Sequence, residues 1–179
     1  MEKVRVIQGS PSDAEQANKL LKVLRKLEVP YQVSVASCHR NAGNGTQKLD
    51  PFIERIEERL IAFIGGMSLA APGIIRSTLI ALGAMKKIVV GIPLDAAARS
   101  AIEDLPLGCP VLTCGLNTVS VSHSITNSAL ALAHLAIESE EDVRRLTEWY
   151  IANEVEKALE EEVQLDEGGL IPVKSKEGK

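Results

Sequence analysis

Val4-Arg5-Val6-Ile7-Gln8-Gly9-Ser10-Pro11-Ser12-Asp13 is the stretch that decides the fold. A β-branched run stops at a glycine, and small hydroxyl residues and a proline follow. Helical periodicity then begins: Ala17, Leu20, Leu21, Leu24 and Leu27 recur three and four apart, which is one apolar face of a helix. The order is strand, turn, helix. Ser12 with Glu15 three residues on has capping-box spacing, which places the helix start there.

Outward from this unit the pattern repeats. Tyr31 to Ala36 alternates and reads as a second strand, entered through Pro30. Asp50 as N-cap and Pro51 at the first helical position start a helix whose apolar stripe is Phe52, Ile53, Ile56 and Leu60. Leu60 to Ile64 reads as a strand, Gly65-Gly66-Met67-Ser68 as a turn, and Pro72 opens a helix carrying Ile75, Leu79 and Leu82 that Gly83 ends. Ile88 to Ile92 and Val111 to Thr113 are short apolar runs bounded by Gly and Pro, as in strands buried on both faces. Alternating strands and helices predict an α/β fold, a doubly wound parallel sheet with right-handed crossovers.

From about Ser122 the pattern is helical. Ala129, Leu132, Ala133, Leu135 and Ala136 share one helix; Val143, Leu146, Trp149, Tyr150, Val155 and Leu159 belong to another. The second follows a domain that already looks complete, so its apolar face is expected on a neighbouring subunit. The predicted organisation is an α/β domain over 1–138, that C-terminal helix within 139–163, and a mobile tail over 164–179.

Composition narrows the function classes. The 179 residues suit one domain with a substantial core, and 45% hydrophobic with 25% charged residues at net charge -4 is ordinary for a globular protein. Lys and Arg are scattered among Asp and Glu, and 3% aromatics supply no stacking platform, so no nucleic acid is expected as partner. No apolar run reaches membrane-spanning length, so no membrane partner is expected either. Cys38, Cys109 and Cys114 are odd in number and lack the paired spacings of zinc sites. With no secretion signal in the first residues, a reduced, cytoplasmic protein is expected.

In an open parallel sheet, ligands sit outside the carboxyl ends of the strands. Three turns meet that condition: residues 9–13, 37–46 and 65–73. The first offers backbone N–H groups at a helix start to a phosphate, with the hydroxyls of Ser10 and Ser12; the Asp13 carboxylate repels phosphate and suits sugar hydroxyls. A phosphorylated ribose meets both requirements, although for this turn taken alone helix capping is the commoner role of Ser12 and Asp13. After the second strand comes Ser37-Cys38-His39-Arg40. His39 can donate and accept a proton near neutral pH, and Arg40 presents a planar fork to phosphate or carboxylate. A loop histidine bonded to backbone beside a solvent-facing arginine is the plainer alternative. In an extended segment Cys38 points away from His39, making it a small buried cysteine rather than a nucleophile. Gly65, Gly66 and Ser68 allow close backbone approach, with N–H groups for a carboxylate, or simply make a tight turn.

Gly9-Ser10-x-Ser12-Asp13 after the first strand, Ser37-x-His39-Arg40 after the second and the Gly-rich turn after the third resemble the PurE family, N5-carboxyaminoimidazole ribonucleotide mutase and aminoimidazole ribonucleotide carboxylase of purine biosynthesis. The likeness continues through Gly91-Ile92-Pro93, Leu105 to Val111, Asn127 and the Trp149 helix. It implies a flavodoxin-like three-layer αβα fold, mostly octameric assembly with the late helix reaching a neighbour, and neither metal nor organic cofactor. It also implies an aminoimidazole ribonucleotide substrate with CO2 or a bound carbamate as carboxyl source. By position, Ser10, Asp13 and Arg40 would hold the ribose phosphate, Ser12 and Ser37 would support them, and His39 would be the general acid/base at imidazole C4. Binding of a ribonucleotide or sugar phosphate without carboxyl transfer is the alternative.

Overall fold

The computed structural model describes residues 1–42, 48–67, 69–153, 163–166 and 169–172. Residues Met1–Ser139 form one unit and Glu140–Lys179 another. The first contains β1 (Val4–Gln8), α1 (Ala14–Lys26), β2 (Tyr31–Val35), α2 (Leu49–Glu54), β3 (Leu60–Gly65), α3 (Ala71–Ala81), β4 (Ile88–Pro93), α4 (Ala96–Glu103) and α5 (Val121–Leu135). Its strands run parallel in the order β2-β1-β3-β4. Beyond β4 a single parallel bridge, Val90 to Leu112, extends the order outward. This is the flavodoxin-like arrangement, in which the chain leaves β1 in one direction and returns to its other side at β3.

Side-chain alternation makes the layers. Ile7, Ile61, Phe63 and Val89 point from the sheet into a cluster with Ile53 of α2, Ile75 and Leu79 of α3, and Ile102 of α4. On the other face α1 packs on α5, and α5 on β3 and β4. All of β3 is buried, as a central strand covered on both faces must be.

Several local expectations need correction. Val111–Thr113 is not a strand: only Leu112 pairs, and it is 50% exposed, so no second layer covers it. Its predecessor Pro110 cannot donate to a ladder. Helix α2 starts at Leu49 with Lys48 as N-cap; Asp50 stands in the first turn, where its charge complements the helix dipole. Ile56 lies beyond that helix and Leu60 in β3. Helix α4 was not read at all, because only Ala98 and Ile102 of its residues are buried, too few to mark a period. In the second unit α6 spans Glu140–Ala152, with the Trp149 and Tyr150 rings edge to face at 5.5 Å. Val155 and Leu159 lie outside the described residues. Val163, the last residue of the segment expected as the C-terminal helix, opens an antiparallel ribbon that otherwise lies in the stretch expected as a tail, Val163–Asp166 pairing with Gly169–Pro172 as β5 and β6.

Near the amino ends of the strands, Arg5 grips Glu58 with two hydrogen bonds, Nε to Oε2 at 3.0 Å and Nη2 to Oε1 at 3.1 Å. Burial would raise the Glu58 carboxyl, but hydrogen bonds from its own backbone amide, Arg5 and Lys3 and the Arg5 charge outweigh it and leave it below its ordinary value. A depressed carboxyl stabilises the fold above its unfolded pKa, and that contribution disappears as pH falls through the folded one. Glu58→Gln therefore costs about 2 kcal/mol at neutral pH. In urea melts the gap to the unaltered protein should close below the ordinary carboxylate range; a gap that persisted in acid would assign the effect to packing.

Candidate active site

At the carboxyl ends of β1, β2 and β3 the three turns meet in a cleft of about 640 Å³. Gly9, Ser10, Ser12 and Asp13 line it from the first turn, Ser37, Cys38, His39 and Arg40 from the second, and Gly66 and Met67 from the third. Phe63, Leu69, Ala71 and Leu94 supply apolar wall, and Asp95 a second carboxylate. The cleft sits where the strand order reverses, between β1 and β3, as the topology requires.

The first turn is not the helix start that its sequence suggested. Pro11–Asp13 form a single 3-10 turn, and Ser10 is its cap: the Ser10 Oγ accepts from the Ser12 amide at 3.4 Å and from the Ser12 hydroxyl at 2.9 Å. The Ser12–Glu15 box is absent. Asp13 occupies the N-cap position of α1 but makes no side-chain capping bond, so its carboxylate is free to face the cleft. Burial pushes that carboxyl above its ordinary value and the Asp95 carboxylate adds to the rise; a Ser10 backbone hydrogen bond and the Arg40 charge oppose them. Behind the turn, buried Gln8 donates to the Ser10 carbonyl at 3.2 Å.

The second turn folds back on itself rather than running extended. Asn41 organises it: its Oδ1 accepts from the Ser37 amide and its own amide donates to the Ser37 carbonyl, both at 2.8 Å. The Arg40 amide donates to the Ser37 Oγ at 3.4 Å. This curvature brings Cys38 Sγ to 3.5 Å from His39 Nδ1, which overturns the expectation that neighbouring side chains point apart. Burial pushes the Cys38 thiol up, so it stays protonated and is no nucleophile near neutral pH. Arg40 reaches across to the first turn, its Nη2 donating to the Gly9 carbonyl at 3.2 Å. That bond ties the two turns together with the rest of the guanidinium still at the cleft.

In the third turn Met67 adopts a left-handed backbone, φ 54°, uncommon for a residue with a long side chain, and is 77% exposed. Asp95 holds it there. Oδ2 accepts from the Met67 amide at 2.6 Å while Oδ1 accepts from the Ala98 amide at 2.8 Å, capping α4. Gly66 is what admits this carboxylate, since a Cβ there would stand 2.6 Å from Asp95 Oδ2. Gly65 belongs to β3 and lies outside the cleft lining, its carbonyl accepting from the Leu94 amide at 3.0 Å. Ser68 lies outside the described residues, as do residues 43–47 of the second turn. Among the described residues no three His, Cys, Asp or Glu side chains are grouped to hold a metal ion. None of the helices among them is long and apolar enough to cross a membrane.

Asn41, Phe63 and Asp95 were missed from sequence. Asp95 left a signal, an Asp between strand-ending Pro93 and an alanine run, which is an N-cap after a strand. Asn41 and Phe63 left none, one being an ordinary loop residue and the other an ordinary strand residue.

Residues 3–156 match the family model described as AIR carboxylase. N5-carboxyaminoimidazole ribonucleotide mutase of Escherichia coli (strain K12) is 30% identical over 82% of this chain and 85% of its own length. Phosphoribosylaminoimidazole carboxylase of Candida glabrata is 27% identical over 93% of this chain, which spans only 28% of that longer protein. Among solved structures, Treponema denticola PurE superposes with a TM-score of 0.65 at 17% identity, covering 88% of this chain and 94% of that one, a likeness of fold.

Proposed function

The chain belongs to the AIR carboxylase, or PurE, family, and from that premise we propose that it places a carboxyl group on C4 of an aminoimidazole ribonucleotide, as mutase or as carboxylase. The observation that carries the proposal is the convergence of a proton-transfer group, His39, an anion-binding group, Arg40, and an uncapped carboxylate, Asp13, in one cleft. Arg40 and the hydroxyls of Ser10 and Ser12 take the phosphate, Asp13 accepts from ribose hydroxyls, and Ser37 supports the second turn. From the third turn Gly66, which lines the cleft, lets the base approach the backbone closely.

In the mutase form the carbamate N–C bond breaks, CO2 stays in the cleft, and C4 attacks it. In the carboxylase form CO2 enters from solution. Either way a C4–C bond forms and the C4 proton leaves to His39. With Nδ1 against the Cys38 thiol, Nε2 is the nitrogen available to the substrate. As imidazolium His39 gives the Nε2 proton to the amine nitrogen while the carbamate breaks, and the neutral imidazole that remains takes the C4 proton at the same nitrogen. Holding CO2 beside C4 away from water supplies the remainder. The family likeness supports cytoplasmic purine biosynthesis and an octamer in which α6 is lent to a neighbour; light scattering on the purified protein tests the assembly.

The deciding experiment offers folded protein each nucleotide separately and follows interconversion of the C4-carboxylated and uncarboxylated forms. Absence of turnover with both overturns the proposal. Arg40→Ala is expected to raise the Kd for the nucleotide about 10- to 100-fold, the range of a lost charge-assisted hydrogen bond. Calorimetry should show less of that loss for the dephosphorylated nucleoside. Binding without carboxyl transfer is favoured by one observation: the Met67 amide, a donor that would serve a ligand carboxylate, is already taken by Asp95.

A further inference from the structure

We propose that Asp95 is a specificity-determining residue: its carboxylate occupies the anion position of the third turn and so sets the cleft against a ligand carboxylate there. The inference rests on the function proposed above and deepens it.

The geometry is that of an anion already in its seat. A turn ending in a left-handed residue directs backbone N–H groups into one concavity, the arrangement that binds carboxylates and phosphates. Met67 is that residue, and the group at its amide is Asp95 Oδ2, at 2.6 Å. The carboxylate also lies so close over Gly66 that no side chain could share the space. It is held from its other oxygen by the Ala98 amide, so α4 fixes it in place. Asp95 thus competes with a ligand in two ways, by filling the hydrogen-bond position and by repelling a second negative charge in a partly buried cleft. Its influence reaches the opposite wall, where it contributes to the raised Asp13 carboxyl. With two carboxylates and one guanidinium on the lining, the charge pattern suits a single phosphate at Arg40 and a neutral base at the third turn. The uncarboxylated nucleotide has that form.

Two variants separate this role from helix capping. Asp95→Ser keeps a good N-cap for α4 but removes the charge and the reach to Met67; Asp95→Asn keeps the size and removes the charge. Titration calorimetry with the C4-carboxylated and uncarboxylated nucleotides gives a ratio of dissociation constants for each protein. The ratio is expected to shift about tenfold toward the carboxylated form in both variants, or ~1.4 kcal/mol. A purely structural role for Asp95 predicts that both ligands weaken together with the ratio unchanged, and that result overturns the inference. Binding of neither nucleotide to the unaltered protein overturns the proposed function and this inference with it, whereas binding of both with a constant ratio overturns the inference alone.

Discussion

His39→Asn is expected to reduce carboxyl transfer by roughly 10²- to 10⁴-fold, the usual worth of one well-placed general acid/base, while nucleotide binding stays within about twofold. Asn keeps a polar group of similar reach beside Cys38, so the turn held by Asn41 and Ser37 should persist. What it cannot do is take and return a proton. The measurement is kcat and nucleotide Kd side by side. Loss of both together would mean that the substitution disturbed the turn, and unchanged kcat would remove His39 from the chemistry. In the proposed function the grip on phosphate belongs to Arg40 and the first turn, which is why the two quantities should separate.

Phe63→Ala carries the largest expected effect on stability. Phe63 is 1% exposed, sits in central β3, and packs into the cluster formed by Ile7, Ile53, Ile75 and Leu79. Removing such a ring typically costs about 3–5 kcal/mol through lost transfer energy and the cavity left behind. That is a large part of a domain's total of roughly 5–15 kcal/mol. The ring also lines the cleft, and its Cε1 would be 3.3 Å from a Cβ placed on Gly9. The first turn therefore loses its backing, and nucleotide affinity should fall along with the urea midpoint. Phe63→Leu, which keeps most of the volume, should cost only about 1 kcal/mol. Equal losses for the two variants would show that the cluster does not depend on the ring.

The strands β3 and β4 were legible because burial on both faces leaves little to write but apolar residues, and β1 was legible from its β-branched Val4, Val6 and Ile7 around Arg5. Helix α1 was legible because one buried face imposes its period. Helix α4 was not, since it covers the sheet with little more than Ala98 and Ile102. The run Val111–Thr113 has the composition of a strand but makes one bridge, because an apolar run predicts burial and not the partner that a ladder needs. At the site, Ser10, Ser12, Asp13, Ser37, His39 and Arg40 were named from their place after strands, and all of them line the same cleft. The Ser12–Glu15 box was misread because spacing permits a capping bond without requiring it. Ser10 two residues earlier took the Ser12 amide first.

By itself the sequence determined which segments would be strands and helices at the centre of the sheet, since periodicity and β-branching act over a few residues. With the rule that ligands bind beyond the carboxyl ends of parallel strands, it also pointed to three named turns as the candidate site. Tertiary structure alone decided how those turns meet. Arg40 touches Gly9 across 31 positions, and Asp95 reaches Met67 across 28. Such contacts depend on strand order and crossover hand, which fix distances between residues that have no local relation. They also fix which carboxylates are left without a capping duty, and hence what the first turn, Gly9 to Asp13, is free to bind.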